Sequence, residues 1–197
     1  MNLITALPRA LFLTLLLAVA LPVGAIAQEA AEYDTSKVVP PPRYNNTLSP
    51  MDISSTMLGD TYVKVVYGSP RMREREIFGD LVPYGELWRT GANEATELTT
   101  TGDLDVNGQT LPAGTYAVFT IPGEEMWTVV FNSALGQLGA ADYDESKDVL
   151  RVEVPVMETE KPYEGFTIMF EDTAEGKALA MAWDDTKVAL PVQAKAM

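Results

Sequence analysis

Four arginines in one short segment are the residues of this sequence best suited to binding chemistry. They are Arg71, Arg73, Arg75 and Arg89, and they fall within 19 residues beside Trp88. A guanidinium group binds carboxylates and phosphates through paired hydrogen bonds and stacks on aromatic rings. Segment 68–94 is therefore a candidate site for an anionic or carbohydrate-like ligand. The predicted site residues are Arg71, Arg73, Tyr84, Trp88, Arg89, Asn93 and Glu94.

Acidic neighbours give the same segment a structural interpretation. Five carboxylates lie among the arginines, namely Glu74, Glu76, Asp80, Glu86 and Glu94. Internal ion pairs would fix the segment to the rest of the domain, with Trp88 and Phe78 as hydrophobic plugs. We prefer this interpretation, because structural ion-pair networks imitate functional ones.

The absence of two residue types limits the remaining chemistry. The 197 residues contain no cysteine and no histidine, which excludes disulfides, Cys or His metal sites, a cysteine nucleophile and a Ser-His-Asp triad. No cofactor is expected. Catalysis would depend on carboxylates, Tyr, Lys, Arg or Ser, and a metal would be a hard cation with oxygen ligands.

Two sets of carboxylates fit this limited chemistry. Asp142, Asp144 and Asp148 have the spacing of calcium ligands, but the stretch lacks the glycine and the bidentate glutamate of a calcium loop, so a solvated turn is the better interpretation. Glu86 and Glu94 flank Trp88 and would suit a glycosidase pair. Such a pair is defined by a separation of about 5 to 10 Å, which sequence does not supply.

Residues 1–27 are predicted to be a cleaved signal peptide. Arg9 precedes the apolar stretch 11–21, and Ala25-Ile26-Ala27 fits a cleavage site. The apolar stretch is shorter than the roughly 20 residues that span a bilayer. We therefore expect a periplasmic or extracellular protein with no stable membrane insertion. The next stretch, 28–50, is predicted to be a Pro-rich arm or linker.

The charge of the chain disfavours two classes of partner. It has 28 acidic and 14 basic residues, a net charge of −14. Removing the signal takes away one arginine, so the mature chain carries 13 − 28 = −15. A field of that sign repels phosphate backbones and anionic lipids, and neither nucleic acid nor a membrane surface is an expected partner.

Alternating apolar residues in 51–192 predict strands. The turn signals Asn107-Gly108 and Pro122-Gly123 predict two hairpins, and Asp184-Asp185 predicts a polar turn between the last two strands. Nine to eleven short strands favour an all-β fold, a single antiparallel, jelly-roll-like β-sandwich with one long ordered loop, with a flattened barrel as the alternative. Residues 193–197 are predicted to be a C-terminal tail.

An ordered series of motifs resembles a known family. The stretches are Tyr67–Arg71, Ile77–Gly79, Leu81–Gly85, Leu87–Thr96, Leu111–Tyr116, Phe119–Gly123, Trp127–Thr128, Tyr143–Glu145 and Asp148–Val152. Together they are similar to the bacterial secreted family catalogued as domain of unknown function 2911, over about residues 50–192. The resemblance implies one secreted β-rich domain and assigns no activity, cofactor or residue role.

Three classes of function are left open. The leading one is a non-catalytic binding module for a small anionic or carbohydrate-like ligand. The second is an accessory protein of envelope assembly, which would bind an envelope protein through its arm or a strand edge. The third is a carboxylate-based hydrolase of an extracellular polymer. Enzymatic activity stays undecided, with the balance against it.

Overall fold

A computed structural model describes residues 48–195, which form nine antiparallel β-strands. Two 3₁₀ turns, Ala140–Asp142 and Glu145–Lys147, and no α-helix occur in this range. The strands are β1 Met51–Leu58, β2 Thr61–Gly68, β3 Thr96–Thr100, β4 Leu104–Val106, β5 Gln109–Leu111, β6 Gly114–Ile121, β7 Met126–Asn132, β8 Asp148–Thr173 and β9 Gly176–Ala194.

The strand order is β1-β2-β3-β6-β7-β8-β9-β4-β5, and the sheet is not closed into a barrel. Strands β1, β2, β3, β6, β7 and the first part of β8 form one layer, whereas the rest of β8, β9, β4 and β5 form the other. Inward-facing apolar residues of both layers make one core. The all-β fold predicted from alternation is confirmed, and its arrangement fits a sandwich.

Both long strands contain β-bulges, and the one in β9 lies where a turn was predicted. The β8–β9 register shifts between Glu158 and Tyr163 and again between Tyr163 and Thr167. The turn predicted at Asp184-Asp185 is wrong, because β9 continues through it and pairs Asp184 with Tyr163. Asp184 has a φ of 54°, a backbone conformation that polar short side chains tolerate. The polar pair marks a bulge within β9.

Both predicted hairpins are confirmed. Asn107 and Gly108, with φ values of 49° and 81°, connect β4 to β5. Positive φ at both central residues is the signature of the tight hairpin turn that Asn-Gly favours. The second hairpin joins β6 to β7 across the predicted Pro122-Gly123 turn.

Several sequence predictions fall outside the described residues. The signal peptide 1–27 and most of the arm, residues 28–47, are among them, as are residues 196–197. Strand β9 extends to Ala194, into the stretch predicted as a tail. The described range contains no helix long and apolar enough to cross a membrane.

Candidate functional site

The long connection between β2 and β3, residues 69–95, is held against both layers by backbone hydrogen bonds. Arg71 forms an isolated antiparallel bridge with Gly165 of β8. Trp88 forms another with Thr120 of β6, through N–H···O bonds of 2.7 and 2.9 Å. The connection is thus an ordered part of the domain, as the sequence predicted.

Trp88 is the hydrophobic anchor of this connection. Its half-buried ring stacks on Trp183 at a centroid distance of 5.9 Å and an interplanar angle of 19°. Three more rings, Phe78, Trp127 and Phe166, meet it edge to face. The indole N–H donates to the carbonyl of Gly91 at 3.1 Å. Such contacts among aromatic rings fix the position of the ring.

Two glycines allow the end of the connection to approach β2. A Cβ atom at Gly68 would lie 2.1 Å from the carbonyl oxygen of Ala92, and one at Gly91 would lie 2.8 Å from the carbonyl oxygen of Gly68. The amide of Ala92 donates to Gly68 at 3.2 Å. Only glycine permits this contact between two backbones, and it positions Arg89 and Asn93 on either side.

Three of the four arginines donate side-chain hydrogen bonds to backbone carbonyls. Arg73 donates to Leu48, Arg75 to Met72 and Arg71, and Arg89 to Asn93 and Leu138. The guanidinium of Arg71 lies over Gly165. Within residues 48–195, no carboxylate oxygen lies within 4.0 Å of any of these four guanidinium groups.

The ion-pair interpretation preferred from the sequence therefore fails for the described chain. A carboxylate does contact the backbone here, because Glu164 accepts the N–H of Arg73 at 3.1 Å. A neutral carbonyl orients a guanidinium group and leaves its full charge in place. Among residues 48–195, the four guanidinium groups of the connection are therefore not held in ion pairs.

Three of these arginines line a common cavity of about 520 Å³, which we call the arginine cavity. Its described lining also includes both stacked tryptophans and no carboxylate. The lining residues are Leu48, Ser49, Pro70, Arg73, Arg75, Leu81, Val82, Trp88, Arg89, Gly91, Ala92, Asn93 and Trp183.

The structure brings together part of the predicted site. Arg73, Trp88, Arg89 and Asn93 share the arginine cavity. Three other predicted residues lie elsewhere. Arg71 is directed to Gly165, Tyr84 is exposed and packs against Gly79, and Glu94 lines a different cavity. Glu86 is exposed and lines neither cavity.

Sequence reasoning missed two residues of the arginine cavity, Arg75 and Trp183. Arg75 belongs to the arginine cluster in the sequence but is not among the predicted site residues. Trp183 comes from β9, far along the chain, and no local pattern connects it with the arginines. Its indole N–H is buried and has no acceptor among residues 48–195.

The Asp142–Asp148 stretch uses its carboxylates within the protein. Asp144 caps the second 3₁₀ turn by accepting the N–H of Ser146 at 3.0 Å, and Asp142 accepts the N–H of Leu138 at 3.3 Å. Asp148 accepts from Tyr143 at 2.5 Å and from Arg151 at 2.7 Å. Within the described range, no cluster of three acidic residues is arranged to hold a metal.

Tyr143 is expected to make stability fall in alkaline solution. Its partial burial, and next its hydrogen bond to Asp148, raise its pKa to about 12 from 10.0. The folded protein therefore keeps this proton when the unfolded chain loses it. The stabilisation is complete below pH 10 and is lost as the pH rises towards 12.

Urea unfolding at pH 9 and pH 11 measures this effect. The free energy of unfolding should fall less over that interval in Tyr143→Phe than in the unchanged protein. Equal losses in the two proteins would contradict the assignment. Thr128→Ser, on a neighbouring strand, changes no titrating group and serves as the control.

Fold and cavity together define the class of this protein: an antiparallel β-sandwich with an arginine- and tryptophan-lined cavity beside its β2–β3 connection. The chain matches the family described as "Protein of unknown function (DUF2911)" over residues 49–192, and it belongs to that family. Searches of curated proteins and of solved structures gave no match.

Proposed function

We propose that this protein is a non-catalytic periplasmic or extracellular domain that binds a small anionic ligand with an aromatic, aliphatic or sugar body. The observation that carries the proposal is a set of three arginines in one cavity, none of which forms an ion pair with the described part of the chain, residues 48–195. Carbonyl hydrogen bonds already orient these groups, so little side-chain freedom would be lost when a ligand binds.

The lining of the arginine cavity suits such a ligand. Its charged groups are donors only, because a guanidinium group has five N–H bonds and no acceptor. Leu81 and Val82 supply an apolar wall, and Trp88 supplies a ring face. A carboxylate or phosphate would lie against the arginines, and its body against the apolar wall.

The absence of carboxylates from the described lining favours binding over hydrolysis. A glycosidase needs two carboxyl groups flanking the bond to be cleaved. Glu94 belongs to another cavity and Glu86 to the exposed surface. The pair considered from the sequence is therefore not assembled around the arginine cavity.

Calorimetric titration with benzoate, glucuronate, inorganic phosphate and neutral glucose tests the proposal. At least one anion should bind saturably, and the Arg73→Ala/Arg75→Ala double variant should weaken that binding at least tenfold, since hydrogen bonds to charged groups contribute about 1.5 to 3 kcal/mol. Arg151→Ala is the matched control, because Arg151 is paired with Glu145 and Asp148 away from the cavity.

Two results would overturn the proposal. One is the absence of saturable binding for every anion. The other is binding of an anion with equal affinity by the double variant and by the unchanged protein. In either case, co-purification of envelope proteins with the full chain would direct attention to a role in protein contact.

A further inference from the structure

A second cavity, of about 320 Å³, lies on the other side of the segment that carries Asn93. Ser49, Ala92 and Asn93 line both this cavity and the arginine cavity. We call it the glutamate cavity, because its charged lining residues are both glutamates. Its lining residues are Ser49, Met51, Val66, Tyr67, Gly68, Ala92, Asn93, Glu94, Ala95, Glu97, Gly136, Gln137 and Leu138.

Glu97 is the first polar group of interest in this cavity. It is half-buried in β3, between Val66 of β2 and Ala117 of β6. Within residues 48–195, no Lys or Arg nitrogen lies within 4.0 Å of its carboxylate. The removal of a carboxylate from water without a partner is unfavourable, so this position suits a cation supplied by a ligand.

Gln137 provides a second acceptor. The side chain is 6% exposed, and its Nε2 donates to Oδ1 of Asn132 at 3.2 Å and to the carbonyl of Ala134. Those two bonds fix which end of the amide is the oxygen. Oε1 is buried and has no donor among the described residues, although most buried polar atoms have a partner.

Apolar residues make up much of the remaining lining, and two of them are exposed. Met51 and Leu138 have exposed fractions of 55% and 63%. Arg89 already bonds to the carbonyls of Asn93 and Leu138, so those acceptors are occupied. The cavity thus combines acceptors at Glu97 and Gln137 with an apolar rim.

We propose that the glutamate cavity binds an ammonium or guanidinium group carried on an aliphatic stem. The cation would donate to Glu97 and to Oε1 of Gln137, and its stem would cover Met51 and Leu138. Long basic side chains bury their stems in this way while the charged end meets a polar partner. The cavity is opposite in polarity to the arginine cavity, and the two proposed cation contacts, Glu97 and Gln137, do not line the arginine cavity.

Such a group has two possible sources. One is a small free amine or guanidine. The other is a lysine or arginine side chain of a basic peptide, which presents the same cation on the same kind of aliphatic stem.

Titration of the full chain with n-butylammonium and n-butylguanidinium tests the site, with butyrate as the oppositely charged probe. At least one cation should bind saturably, and butyrate should not bind in this cavity. Glu97→Gln, which keeps the shape of the side chain, should weaken the cation at least tenfold. Glu153→Gln is the matched control, because Glu153 is an exposed residue of β8 on the same layer.

A second arm of the experiment separates the sources. If a peptide with a single lysine and blocked termini binds more tightly than n-butylammonium, the source is a peptide; if it binds equally or more weakly, the source is a free amine. The proposal is overturned if no cation binds or if Glu97→Gln leaves the affinity unchanged. Benzoate or phosphate binding by Glu97→Gln reports on the arginine cavity separately, so failure of one site is distinguishable from failure of the other.

Discussion

Gly68→Ala is expected to destabilise the protein by about 3 kcal/mol or more. The new Cβ atom would lie 2.1 Å from the carbonyl oxygen of Ala92, and a backbone atom has no rotamer by which to move away. Overpacking costs about 1 to 3 kcal/mol where neighbours can adjust, and more where they cannot. Chemical unfolding at neutral pH measures the change.

Gly85→Ala is the matched control for this substitution. Gly85 lies in the same connection with a φ of 76°, and a Cβ atom there meets nothing within 4 Å. Its cost should be limited to the backbone conformation, about 1 to 2 kcal/mol. If the two variants lost equal stability, the close approach of Gly68 to Ala92 would not be a steric requirement.

Trp88→Ala is expected to cost about 3 kcal/mol of unfolding free energy. The substitution removes a ring in contact with Trp183 and three other aromatic residues, and it leaves a cavity at the centre of this cluster. Large-to-small changes of buried aromatic residues cost about 3 to 5 kcal/mol. Because Trp88 is only half-buried, we expect the loss of unfolding free energy to lie at the lower end of that range.

Tyr84→Ala provides the comparison within the same connection. Tyr84 is 41% exposed, and surface substitutions usually change stability by less than about 0.5 kcal/mol. A loss in Trp88→Ala no greater than that in Tyr84→Ala would show that the aromatic cluster does not anchor the connection. Ligand titration of Trp88→Ala should be interpreted only where the variant is folded.

Local patterns predicted most of the fold because they depend on neighbours in sequence. The apolar pattern of β6 and β7 is visible in the residues of those strands themselves. The turn at Asn107-Gly108 likewise depends only on those two residues, and both hairpins are present as predicted. The turn predicted at Asp184-Asp185 was wrong because a pair of polar residues occurs in β-bulges as well as in turns. The difference is decided by Tyr163, whose pairing with Asp184 is a contact between distant parts of the chain.

The candidate site was predictable only in part for the same reason. The arginine cluster and Trp88 stand out in the sequence, but the partners of the arginines do not. Backbone carbonyls are present at every residue, so composition cannot show which ones Arg73 and Arg89 use. Trp183 lines the cavity because β9 packs against the connection. The sequence pattern of β9 does not show which segment it packs against.

The sharing of β8 between the two layers limits how the length of this chain can change. Residues 148–155 of β8 pair with β7, and residues 156–173 pair with β9. Insertion of one residue in a regular part of the strand would exchange its inward and outward faces. The bulged stretch Glu158–Tyr163 is where β8 already absorbs a change of register. We therefore expect this strand to accept a change of length at that bulge and not elsewhere along β8.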